Sequence, residues 1–303
     1  MKAEIANIVE RFAAVLKEPP PVMAFEISEA GVTAARLSGP KTEFHFQEFR
    51  PGTLAVSPLK DNVIDISDFS TVVQAVTTGA FTRKRRDVAL ILPDYCTRTA
   101  VLDFDSFPTD PKEQLSLIRF RVKRSVPFDV ESAALAYFPQ HSGSKRFEVV
   151  VVLTPLEIVS RYEAPFRAAG MAPGWVTTSS MAALELAPEA GLSVTAKISG
   201  RVLTVLVREK ATLKLVRCLE LPGVSLEDVA SHLFPTFVYV EDNLGARAET
   251  LFLCGFGAET ENAAHRFHDE LGIAVEPLRS PLGVPSENNA GLLGYLRSLA
   301  RNN

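Results

Sequence analysis

The chain has 303 residues, enough for two domains or one large domain carrying an insertion, and 47% of them are apolar, so a sizeable core can be buried. A formal net charge of -4 argues against a general nucleic-acid binder, which carries a basic surplus. Three scattered cysteines, Cys96, Cys218 and Cys254, form no disulfide framework and read as small buried apolar groups, and no run reaches the roughly 18 apolar residues of a membrane span.

Residues 1–21 read as an amphipathic helix and its stop. Ile5, Ile8, Val9, Phe12, Val15 and Leu16 fall at helical spacing, and Pro19, Pro20 and Pro21 end the run. The opening lacks the uninterrupted apolar core and cleavage site of a signal peptide. This helix is expected to pack on its own body, with a partner or the membrane surface as alternatives.

From residue 22 the pattern turns to strands. A short apolar run over 22–27 is followed by a turn at Gly31, alternation over 32–37, and a third strand marked by Phe44, Phe46 and Phe49. Residues 67–80 read as a helix with Phe69, Val72, Val73 and Val76 on one face, and 87–92 (DVALIL) as a buried strand. The same order returns about 170 residues later. Strands are expected at 193–198, 202–207 and 213–219, a helix over 225–243 capped by Ser225, and a strand at 250–253. Three antiparallel strands, a helix and a parallel strand make the ribonuclease-H-like unit, and two such units in tandem predict an α/β, actin-like ATPase fold with a cleft between its lobes.

A different segment separates the copies. It reads as a strand at 97–104, a helix over 110–123 with Asp110 as cap and Pro111 at its first position, strands at 135–140 and 147–153, and a helix from Thr154 to about Ala169. The domain plan is therefore an N-terminal helix and linker at 1–21, a first lobe at 22–92, and an inserted α/β subdomain at 93–170. The chain would rejoin the first lobe at 171–192, and 193–303 would form a shortened second lobe ending in a helix over 290–301.

A cleft of this kind binds nucleotide through two hairpin turns, with glycines admitting backbone N–H groups to the phosphates and a carboxylate at each first strand holding magnesium. The first turn offers Glu26, Ser28, Glu29 and Gly31, with an extra negative charge near the phosphates. The second offers Lys197, Ser199 and Gly200. A cation at Lys197 repels magnesium; Lys197 and Arg201 could instead grip a phosphate without metal. Other groups are weaker. His265 and His268 lack a third metal ligand, and Asp103 with Asp105 reads as a loop entry. The basic runs 83–86 and 119–124 read as solvated faces, with an anionic membrane surface or acidic partner as the alternative. No G-x-S-x-G, P-loop or C-x-x-C is present.

The inserted segment carries a family resemblance. Leu92-Pro93-Asp94, the helix to Arg124, Val126-Pro127-Phe128 and Ala136-Tyr137 resemble the strand, helix and "I-P-F" turn of the PilM-like actin-like ATPases of type IV pilus assembly and type II secretion. Val150-Val151-Val152-Leu153-Thr154-Pro155 with Ala169-Gly170-Met171 resembles the next strand, helix and "A-G-L" turn. Leu253-Cys254-Gly255-Phe256-Gly257-Ala258 resembles the adenosine loop, and Ala290-Gly291-Leu292-Leu293-Gly294 the closing motif. The resemblance runs from about Val22 to Arg297, carried by the order of these motifs.

The departures fall on the nucleotide site. The family's first turn resembles D-I-G-S-S-S-V-K, where this chain reads E-I-S-E-A-G-V-T from Glu26; the second resembles D-I-G-A, where this chain reads K-I-S-G from Lys197. Phe256 stands between Gly255 and Gly257, where its ring could fill the base pocket. The stretch 221–251 leaves room for one helix where the family has a further subdomain. The resemblance thus implies a cofactor-binding set of Glu26, Ser28, Gly31, Lys197, Gly200, Gly255 and Gly257 in degenerate form. It implies a cytoplasmic, non-catalytic scaffold peripheral to the inner membrane that binds the cytoplasmic tail of a single-span protein, in a groove formed from 22–92 and 97–153. The N-terminal helix could mimic that tail in its own groove or a neighbour's, and a homodimer is a further arrangement. The alternatives are an ATP-binding, weakly hydrolysing protein of the same machinery, with magnesium, and a sugar-kinase-like enzyme, for which no aspartate base is evident.

Overall fold

The computed structural model describes residues 20–38, 41–77, 87–140, 146–189 and 191–302. The N-terminal helix, the end of the helix expected at 78–80 and the basic run 83–86 lie outside these residues. The first lobe opens with β1 (Met23–Ile27), every residue of which is buried, as a strand covered on both faces requires. It pairs antiparallel with β2 (Gly31–Ser38), which pairs with β3 (Lys41–Glu48). After α1 (Ile66–Thr77) the chain returns as β4 (Asp87–Leu92), parallel to β1. A fifth strand, β8 (Ala172–Thr178), lies parallel to β4 at the sheet edge. The sequence hides it because Pro173 and Gly174 interrupt its pattern; the register slips between Val88 and Ala89 to absorb them, and an edge position tolerates the proline.

The second lobe repeats this plan. Its strands β9 (Leu192–Ser199), β10 (Val202–Glu209), β11 (Thr212–Glu220), β12 (Thr250–Cys254) and β13 (Ala274–Pro277) form a sheet in the order β11-β10-β9-β12-β13, matching β3-β2-β1-β4-β8. One helix, α5 (Leu226–Leu244), fills 221–249. Ser225 caps it through a reciprocal box with Asp228, and Gly245 ends it in the left-handed region. A further helix, α6 (Thr260–Leu271), packs beside it on the same core.

Between the lobes, β5 (Arg98–Phe104), β6 (Ala133–Gln140) and β7 (Phe147–Pro155) form an antiparallel sheet in the order β5-β7-β6. The helix α2 (Pro111–Val122) covers one face through Ile118 and Val122, with Asp110 accepting a hydrogen bond from the Glu113 N–H as cap. The other face is apolar too, and Phe138 and Val150 bury it against Leu206 and Leu213 of the second lobe. Gln140 reinforces this seam by pairing its side-chain amide with both backbone groups of Leu213 at 2.8 Å, as a strand would. The helix after β7, α3 (Leu156–Ala168), returns the chain to the first lobe, where Phe25, Phe69, Tyr162 and Phe166 interlock. Thr154 does not cap it. Its hydroxyl donates instead to the Cys96 carbonyl at 2.9 Å, and Pro155 holds the cap position.

The final helix, α7 (Ala290–Asn302), packs on both lobes. Ala24, Ala35 and Ala89 of the first-lobe sheet leave a shallow face for Leu292, Tyr295, Leu296 and Leu299, and Ala290 and Leu293 meet Phe252, Cys254 and Leu278 of the second lobe. This helix crosses the short helix α4 (Ser179–Ala183) so tightly that a methyl group at Gly294 would lie 2.1 Å from the Ala182 carbonyl oxygen, and one at Gly291 2.7 Å from the Ser179 Cα.

Candidate functional site

Glu26 closes β1 at the floor of the cleft. Its carboxylate accepts hydrogen bonds from the Ser179 hydroxyl, from the Leu292 N–H at 2.7 Å and from the Gly291 N–H at 3.3 Å. It therefore occupies the first turn of α7, where unpaired N–H groups and the helix dipole favour an anion. Burial pushes its carboxyl above the ordinary range, and the Lys197 charge, Ser179 and the two backbone donors oppose that push.

Lys197 is 2% exposed, in the middle of the cleft. Its ammonium lies 3.2 Å from Asp94, which follows β4 in a single 3-10 turn (Asp94–Cys96). The Asp94 carboxylate also accepts from the Ser180 N–H at 2.7 Å and from the Thr204 hydroxyl at 3.2 Å. An acid directly after β4 of the first lobe and a base on β9 of the second lobe thus form a buried pair across the cleft. Burial alone would lower the Lys197 pKa; Asp94 and Glu26 outweigh it and hold the pKa above its usual value.

The two turns are also engaged from within the chain. The Ser28 N–H donates to the Gly31 carbonyl at 2.9 Å and the Ser28 hydroxyl accepts from the Gly31 N–H at 3.3 Å. A Cβ at Gly31 would lie 2.2 Å from the Gln47 carbonyl oxygen, so this glycine serves the packing of β2 on β3. The Gly200 N–H donates to the Glu287 carboxylate at 3.0 Å, and the Ser199 hydroxyl to the Glu287 carbonyl at 3.3 Å. The next residue, Asn288, accepts from the Thr33 hydroxyl at 2.7 Å. The segment leading into α7 therefore touches both hairpins. Glu29 accepts from the Val56 N–H at 3.0 Å and still borders the space between the turns, its Oε2 3.2 Å from where a Cβ at Gly200 would stand. Between the turns, Glu29, Val56, Pro93, Asp94, Tyr95, Ser199 and Val202 bound a cavity of about 10 Å³, roughly the room for one water.

The remaining sequence candidates separate. Arg201 donates to the Leu221 and Pro222 carbonyls, so it does not join Lys197 in a phosphate grip. Gly255, at φ +82°, lies so close to β9 that a Cβ would meet the Ile198 carbonyl oxygen at 2.0 Å; Gly257 has open space beside it. Phe256 is buried in the second-lobe core, its ring set edge-on to Phe267 at 6.2 Å. Burial pushes the Cys218 and Cys254 thiols up to about 12 and Cys96 higher still, so none is a ready nucleophile. His268 is tied through Nδ1 to the Ile273 carbonyl, and Asp105 pairs with Arg146. Among the described residues no three His, Cys, Asp or Glu side chains are grouped to hold a metal. Sequence reasoning missed Glu287 and Asn288, which lie in an aperiodic loop. It missed Asp94 as a site residue too, although an acid directly after a fully buried strand was a usable signal.

No family model matches the chain. No curated protein matches it either. Solved structures do. A PilM–PilN type IV pilus biogenesis complex aligns with a TM-score of 0.74 at 17% identity, over 93% of this chain and 98% of that one. A protein of unknown function with an actin-like ATPase fold from Bacteroides thetaiotaomicron gives 0.54 at 14% identity, over 90% and 94%. The cytoplasmic domain of EpsL, an inner membrane component of the type II secretion system of Vibrio cholerae, gives 0.51 at 13% identity, over 93% and 94%. These likenesses establish an actin-like fold, the class read from the duplicated strand pattern.

Proposed function

We propose that the protein is a non-catalytic scaffold of a type IV pilus or type II secretion assembly, binding the cytoplasmic tail of a single-span inner-membrane partner. The observation that carries the non-catalytic part is the filled cleft. Carboxylates of the chain itself take the anion positions: Glu26 on the N–H groups of α7, and Glu287 on the Gly200 N–H. A cation with 2% exposure stands where a magnesium ligand would be needed. The residues present do not fit Mg-ATP, and the small cavity of about 10 Å³ between the turns supports that reading. The set Glu26, Ser28, Gly31, Lys197, Gly200, Gly255 and Gly257 is then a structural remnant that holds the lobes in one arrangement.

The partner reading rests on the likeness to a PilM–PilN complex and on the surface between the first lobe and the inserted sheet. There α3 links the two bodies. The Leu156 N–H donates to the Ser132 carbonyl, and Arg161 reaches the Val63 carbonyl at 3.1 Å and Asp61 at 2.7 Å. Leu59, Ile64 and Leu156 leave large apolar side chains exposed beside this junction, suited to an extended or helical segment with apolar anchors. Co-purification of the tagged chain from native membranes tests the reading. Recovery of a single-span protein, weakened severalfold by Ile64→Asp or Leu156→Asp, is expected; a soluble metabolic complex in its place would contradict it.

A further inference from the structure

The outward face of α2 is unlike the rest of the inserted subdomain. Ile118 and Val122 are fully buried, and Phe120 between them is 77% exposed. At 3.6 residues per turn Phe120 points about 160° away from each of them, so it stands directly opposite the face that α2 buries. A phenylalanine there contributes nothing to the fold, and burying it in an apolar medium is favourable.

Its surroundings are cationic. Lys123 and Arg124 follow within one turn, both exposed and with no ion pair among the described residues. Lys112 is exposed on the first turn, and Arg121 flanks Phe120 with its guanidinium 5.5 Å over the Phe104 ring. Arg119 is neutralised by Glu131 at 2.8 Å. The one acid on this face of α2 is Glu113, seven residues before Phe120, so the end of the helix that carries Phe120 is uniformly positive. This patch belongs to a chain whose net charge is -4, so it does not follow from the overall composition.

We propose that this face docks on an anionic lipid bilayer surface, with Phe120 entering the headgroup boundary and Lys123, Arg124 and Lys112 lying against lipid phosphates. An exposed aromatic flanked by Lys123 and Arg124, cations with long apolar stems, matches an interface that is apolar below and negative above. An acidic protein segment would satisfy the charges but gives no reason for a lone outward ring. The site is independent of the cleft and of the tail-binding junction, so it stands or falls apart from the scaffold reading.

Sedimentation of the full chain with large unilamellar vesicles tests it. Binding to phosphatidylglycerol–phosphatidylethanolamine vesicles is expected, weakening steeply with salt, with little binding to phosphatidylcholine alone. Each cation near such a surface is worth about fivefold in partitioning. The pair Lys123→Ala and Arg124→Ala should therefore lower binding about 25-fold, and Phe120→Ser severalfold, with unchanged thermal unfolding because all three side chains are exposed. Absence of binding to the anionic vesicles, equal binding to the zwitterionic ones, or variants that bind like the parent would each overturn the proposal. The last outcome would place membrane contact elsewhere, for instance in residues 1–17.

Discussion

Lys197 stands where a nucleotide-binding relative would be expected to carry a carboxylate, and its partner Asp94 lies 103 residues away on the other lobe. The sequence shows the wrong residue at 197 but not its partner, because pairing across lobes leaves no periodicity to read. The consequence for stability is large. Removing one member of a buried ion pair strands the other charge, at a cost of about 3–5 kcal/mol. Lys197→Met, which keeps the side-chain length, is expected to lower the unfolding free energy by roughly this amount in chemical denaturation, and adding Asp94→Asn to recover part of it. The pH dependence follows from the raised pKa. Lys197 holds its proton more tightly when folded, so its contribution is complete below the usual lysine value of 10.5 and is lost as pH rises through the folded pKa. The parent should therefore lose stability more steeply than Lys197→Met does once pH rises above 10.5, measured as denaturation midpoints on either side of that value.

The helix crossing of α4 and α7 and the seam between β6 and β11 fix how the bodies meet. Most elements were read from pattern, with caps at Asp110 and Ser225, alternation in the strands and apolar stripes on the helices, while β8 and α4 were not. Nor were the partners of each element. That α7 would bridge both lobes was not legible, since its apolar face suits any sheet; the small residues Ala24, Ala35 and Ala89 admit it on the first-lobe sheet, and Phe252, Cys254 and Leu278 receive Ala290 and Leu293. At Gly294 two effects compete. Alanine in a helix gains about 1 kcal/mol over glycine, but its methyl would sit 2.1 Å from a backbone oxygen that cannot turn aside. The clash wins, and Gly294→Ala should destabilise by about 1–3 kcal/mol or more. At the seam, Gln140→Ala would leave the Leu213 N–H and carbonyl buried without partners, costing about 1–3 kcal/mol. Amide exchange should rise locally across β6 and β11, while α1 and β4 stay protected. Uniform loosening of both lobes would show that the subdomain is not held through this seam.

The duplicated unit and the insertion were legible because each lobe repeats a strand order with its own hydrophobic rhythm. Departures from the resembled phosphate turns were legible at Glu26, Ser28 and Lys197. What filled the gap was not, because Glu287 and Asn288 arrive from a loop with no pattern, some 90 residues beyond the second turn (87 for the Gly200 contact). The molecule is thus two lobes joined by side chains of their own, around a cavity of about 10 Å³ between the turns. On the proposed reading, a cleft bridged in this way has no need of a nucleotide to close it. Calorimetric titration of the full chain with Mg-ATP tests this most directly. The account predicts no saturable heat up to millimolar nucleotide, whereas saturable micromolar binding would contradict it.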